Sequence, residues 1–180
     1  MIRLSRYLLL LATMGWGLNA LGAQEIEASF GDWSKVCATP EPEDAAELQS
    51  QGKICQIVQT ASQDESGDRL LQTTIGYVSA SEQPILSLVA PLGIYLPKGI
   101  VISIDDTPIT LPVQRSDGNG CMAYTTMNDS LIESMKQNDK GAVLVATNPN
   151  NNIKLPLSLK GFSEAFQSLK QTENAQENEP

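Results

Sequence analysis

Ile100-Val101-Ile102-Ser103-Ile104, then Asp105-Asp106-Thr107-Pro108, then Ile109-Thr110-Leu111-Pro112-Val113-Gln114 is the stretch whose pattern decides the fold. Ile100, Ile102 and Ile104 fall on one face, with Val101 and Ser103 between them. Ile109, Leu111 and Val113 then alternate with Thr110, Pro112 and Gln114. Two period-2 runs around a short polar break predict a β-hairpin whose apolar side faces a core. Pro112 has no amide hydrogen to give to a neighbouring strand, so the second arm belongs at an edge or a bulge.

The same period returns downstream. Ile153, Leu155, Leu157 and Leu159 line one face, with Lys154, Ser158 and Lys160 opposite. Residues 142–147 precede them as a strand, and Asn148-Pro149-Asn150-Asn151-Asn152 supplies the turn of a second hairpin. Upstream, residues 28–37, 54–60, 70–78 and 85–90 read as further strands. Pro91-Leu92-Gly93 and Pro97-Lys98-Gly99 break the chain between them and the first hairpin. Asp117-Gly118-Asn119-Gly120 is a tight turn that lacks the ligand pattern and closing Glu of a calcium loop.

Two helices complete the reading. Asn128-Asp129-Ser130 caps a short one, with Leu131, Ile132 and Met135 as its apolar side and Ser130 with Glu133 as a capping box. Ser163 opens the other, where Phe162, Ala165, Phe166 and Leu169 recur at helical spacing. The fold class expected is all-β, an antiparallel β-sandwich or barrel with two short helices. Residues 24–170 form one domain, and the polar stretch 171–180 is expected to be a disordered tail.

The chain has 180 residues, 12 Lys+Arg against 21 Asp+Glu, three Cys and no His. A net charge of −9 opposes binding to nucleic acid, which takes a basic face. The absence of His excludes Ser-His-Asp and Cys-His relays and His-ligated metals. No motif implies a cofactor or a metal.

Residues 1–23 read as a secretory signal peptide: Arg3 and Arg6, an apolar run from Leu8 to Leu18, then small residues up to Ala23. The apolar run is shorter than the about 20 residues a membrane helix needs, and no later segment is apolar enough to span. Cleavage before Gln24 leaves 10 basic against 21 acidic residues, a net −11. A periplasmic or secreted location follows, and disulfides are then permitted.

Cys37 and Cys55 flank a polar segment, and a bridge between them would stabilise the fold by roughly 3 kcal/mol in the loop-entropy account. Either could instead pair with Cys121. A Cys121 left over is read first as a buried thiol, since free cysteines are commonly buried.

Several segments together resemble the invasion-associated locus B family of bacterial exported proteins. They are Trp33-Ser34-Lys35-Val36-Cys37, Cys55-Gln56-Ile57-Val58-Gln59, Pro91-Leu92-Gly93-Ile94-Tyr95-Leu96-Pro97-Lys98-Gly99-Ile100, Gly120-Cys121, and Leu155-Pro156-Leu157-Ser158-Leu159-Lys160-Gly161-Phe162. The resemblance spans about residues 28–170. It implies a signal-bearing, β-rich periplasmic or secreted protein with no established enzymatic activity. It also implies a Cys near position 116, where this chain has Arg115-Ser116-Asp117. On that comparison the pairing left is Cys37–Cys55, and Cys121 loses its expected partner.

The function expected is non-catalytic binding to an envelope or host protein, in a role linked to host-cell invasion or virulence. The acidic residues Glu41, Glu43, Asp44 and Glu47 are a candidate interaction loop, although such charge runs are usually solvated. The alternatives are a glycan or peptidoglycan hydrolase and a redox role for Cys121. Adjacent Asp105 and Asp106 read as a turn rather than as the separated carboxylates of a glycosidase. Asp32-Trp33 reads as a core Trp rather than a sugar platform. A redox role requires an exposed thiol of low pKa.

Overall fold

A computed structural model describes residues 25–38, 53–63, 67–78 and 83–177. Eleven strands form two antiparallel sheets. They are β1 (Glu25–Phe30), β2 (Trp33–Ala38), β3 (Ile54–Ser62), β4 (Arg69–Gly76), β5 (Ile85–Ala90), β6 (Ile100–Ile104), β7 (Thr107–Leu111), β8 (Arg115–Asp117), β9 (Gly120–Thr126), β10 (Lys140–Asn148) and β11 (Asn151–Ser158). The helices are α1 (Asp129–Gln137) and α2 (Phe162–Glu177). The larger sheet has the order β1-β2-β3-β4-β5-β9-β8 and the smaller β11-β10-β6-β7.

The deciding hairpin forms as its period requires. Ile102 pairs with Ile109 and Ile100 with Leu111, so the isoleucines of β6 enter the core. β7 ends at Leu111 and is an edge strand, which leaves Pro112 clear of any ladder. The second hairpin pairs Val143 with Leu155 and Gly141 with Leu157. The inner faces of the two sheets close over Ile57, Leu71, Ile75, Leu86, Leu88 and Val143, all buried. α2 covers the β1–β3 end, where Phe162 meets Trp33 edge-on at a ring separation of 5.5 Å.

The sheets are also joined by close backbone approach. A side chain on Gly161 would meet the Phe30 carbonyl oxygen at 2.0 Å, and the residue has φ +81°. Only glycine fits there.

Four details differ from the sequence reading. Residues 28–37 form two strands, because Gly31 (φ 56°) turns the chain between Phe30 and Trp33. β8 and β9 pair around the Asp117–Gly120 turn, where only a turn is expected. The cap of α1 is Asn128, whose side chain accepts from the Leu131 amide at 2.9 Å, while Glu133 bonds Lys136 rather than a cap. α2 runs on to Glu177, past the expected order limit at Lys170. Its extension is held by Lys35, whose Nζ donates to Thr172 Oγ1 at 2.5 Å.

Candidate functional site

The segment between β5 and β6 crosses from one sheet to the other. Its backbone is tied down: the Tyr95 amide donates to the Ala146 carbonyl at 2.6 Å, and the Gly99 amide to the Leu96 carbonyl at 2.9 Å. Pro97 sits within the short 3-10 turn Leu96–Lys98. Gly99 takes φ +66°, and a side chain there would meet the Leu111 carbonyl oxygen at 2.4 Å. A loop fixed in this way nevertheless points apolar groups at solvent. Leu92 is 57% exposed, Leu96 47% and Tyr95 36%.

The loop ends at an open trough of about 400 Å³ on the outer face of the smaller sheet. Val101 and Leu144, cross-strand partners, form its floor with Ala146. Lys98 and Asn152 stand on its walls, as does Asp106 from the β6–β7 turn. The site therefore combines an apolar floor, a cation, a carboxylate and a rigid apolar loop. This is the chemistry of a recognition surface. The two Pro-Gly breaks predict the loop from sequence; they give no sign of which side chains it leaves exposed.

The expected site residues are distributed as follows. Cys37 and Cys55 oppose each other across β2 and β3 and form a disulfide. The Glu27 carboxylate covers it, with Oε2 3.0 Å from Cys37 Sγ and 3.3 Å from Lys35 Nζ. Glu27 also pairs with Lys53. These two ammonium groups, Lys53 first, hold the Glu27 carboxyl below the usual range. Glu27, Cys37 and Cys55 lie close enough to share a metal ion. With the two sulfurs bonded to each other, neither is a thiolate able to ligate one.

Cys121 is a buried free thiol. It lies directly opposite Ser116, whose Oγ is 3.3 Å from Cys121 Sγ. Asp105 and Asp106 form the exposed two-residue turn between β6 and β7. Trp33 is fully buried and donates Nε1–H to the Ser158 carbonyl, so it offers no face to a sugar. Asp32 accepts from Ser158 Oγ at 2.5 Å. Asp117 is held low by the Asn119 amide and then by Arg115. Glu41, Glu43, Asp44 and Glu47 lie outside the described residues. Among the candidates that are described, only Asp106 joins the trough.

The comparisons with known proteins agree with this architecture. The family model described as "Invasion associated locus B (IalB) protein" matches residues 33–170. An invasion protein B homolog of Brucella abortus (strain 2308) is 24% identical over 150 residues, covering 82% of this chain and 81% of that protein. A homolog from Brucella abortus biovar 1 (strain 9-941) gives the same figures. Neither name specifies a reaction. The crystal structure of invasion associated protein b from Bartonella henselae has the same fold, with a TM-score of 0.67 at 15% identity, covering 82% of this chain and 97% of that one. The chain belongs to the invasion associated locus B family.

Proposed function

We propose that this member of the invasion associated locus B family is an exported, non-catalytic binding protein that docks a protein partner on the loop 91–99 and the trough beside it. The observation that carries this reading is the exposure of Leu92, Tyr95 and Leu96 on a loop whose backbone is pinned. A rigid loop loses little entropy on docking. Full burial of a leucine side chain contributes about 1.5–3 kcal/mol.

Export rests on the signal-peptide pattern of residues 1–23 and places the protein in the periplasm or outside the cell. Among the described residues no helix is long and apolar enough to cross a membrane. The acidic residues 41, 43, 44 and 47 add a second contact for a cationic partner, one that weakens with salt. A part in host-cell invasion comes to this chain from the names of its relatives.

The test is complementation of a deletion strain with Leu92→Asp combined with Leu96→Asp. The variant should be exported and folded like the parent, yet fail to restore the lost phenotype. Full restoration by a folded double variant would remove the loop from the function. Unimpaired host-cell entry by the deletion strain would remove the invasion role alone.

A further inference from the structure

The outer face of the larger sheet is without charge across its centre. One registered row runs Ser34, Val58, Thr74, Ser87 and Tyr124. The next runs from Ile26 through Val36, Gln56 and Gly76 to Ile85 and Thr126. A third carries Thr60, Gln72, Val89 and Met122. No Asp, Glu, Lys or Arg stands in these positions, in a chain with 18% charged residues and a net charge of −9. The nearest cations are Arg69 and Arg115 at one corner, and both are engaged, Arg69 by Gln72 and Arg115 by Asp117. Solvent-facing sides of antiparallel sheets normally carry polar and charged residues. Among the described residues no helix covers this face, since α2 lies on the inner side.

We infer that this face is the contact surface between two copies of the chain, stacked sheet against sheet about a two-fold axis. The face lacks the charges that would select a partner of opposite sign. Its complement is another uncharged sheet face, and a second copy supplies one of the same size and twist. Sheets stack at about 10 Å with strands within about 30° of each other, and a two-fold contact requires the same patch on both subunits. The rows hold five, six and four positions, and at about 4.8 Å between strands and about 6.8 Å between rows they cover roughly 490 Å² per copy. The pair buries on the order of 1,000 Å², the lower limit for a specific interface. The acidic side chains among the described residues lie off the patch and the chain is net negative, so added salt should strengthen the association.

The experiment is sedimentation equilibrium of the exported, oxidised protein from about 1 to 200 μM, a range that brackets micromolar affinities. The parent should shift from monomer to dimer over this range. Thr74→Lys, at the centre of the middle row, should raise the dissociation constant by about a hundredfold, because two lysines would face each other across the axis. Ser87→Lys is the second variant, and circular dichroism checks both folds. Should both lysine variants fail to fold, nitration of Tyr124 in the parent reads the same surface, and protection should grow with concentration. A parent that stays monomeric, a dimer indifferent to both folded lysine variants, or Tyr124 nitration unchanged by concentration would overturn the inference. Failure of the loop variants in the complementation experiment leaves it standing, because Leu92 and Leu96 lie outside this face.

Discussion

Gln59 and Ser158, 99 positions apart in the chain, exchange both hydrogen bonds that an amide side chain and a backbone unit can share. Gln59 Nε2 donates to the Ser158 carbonyl at 2.7 Å, and the Ser158 amide donates to Gln59 Oε1 at 2.9 Å. A buried side chain of the larger sheet thus continues the ladder of β11, a strand of the smaller one. Trp33 Nε1 reaches the same carbonyl at 3.1 Å. Gln59→Leu keeps the volume and leaves the Ser158 amide without its partner. Loss of about 2–4 kcal/mol is expected, read as a lowered urea midpoint with an unchanged slope. A loss near zero would show that the sheets are held by the apolar core alone.

Ser116 and Cys121 occupy opposed positions of β8 and β9, 3.3 Å apart at their side-chain tips. Ser116→Cys places a second sulfur where a cross-strand bridge can form. Under denaturing conditions the parent should titrate one thiol and the oxidised variant none. A variant that keeps two titratable thiols after oxidation would contradict the register of this hairpin.

Asp105 and Asp106 take φ 49° and 55°, both in the left-handed region. A two-residue turn between Ile104 and Thr107 requires this, and Gly or Asn is the usual choice. Each non-glycine residue held there costs about 1 kcal/mol. Asp106→Gly should therefore stabilise the protein by about 0.5–1 kcal/mol, raising the melting temperature by about 1–4 °C. A lowered melting temperature would mean that the carboxylate makes a contact worth more than the strain.

Glu27 lies between Lys53 and Lys35, and its carboxyl is held below the usual 4.5. A group depressed in the folded state contributes stability above its unfolded pKa and loses it as pH falls through its folded value. Glu173 acts in the opposite sense, since burial raises its carboxyl and favours the folded protein as pH falls. Glu27→Gln should thus be less stable than the parent at neutral pH. The gap should narrow as pH falls below about 4.5 and close once the folded carboxyl is itself protonated. A gap independent of pH would assign the effect to packing over the disulfide rather than to charge.

The sheets were legible where the physics is local. β11 alternates apolar and polar side chains, β6 and β10 are short apolar runs, and the Pro-Gly and Asn-rich breaks between them set their ends. β9 escaped because Gly120, Cys121, Met122 and Ala123 show no alternation; its burial comes from lying between β5 and β8. The last turns of α2 read as disordered because their composition is polar. The first of them is joined to β2 by Lys35, 137 positions away from Thr172, and no local pattern encodes such a contact. The candidate site was least legible of all. Pro91, Gly93, Pro97 and Gly99 announced a turn, whereas the exposure of Leu92 and Leu96 depends on where β10 places Ala146.

The proposed role of the pinned loop is to meet a protein partner. The most direct measurement is site-specific photo-crosslinking in the native cell, with the photoreactive residue at Leu96 and, as control, at the exposed Glu164 of α2. One discrete adduct is expected from position 96, absent from position 164 and lost with Leu92→Asp. Equal adducts from both positions, or none from position 96 in a correctly exported protein, would contradict it.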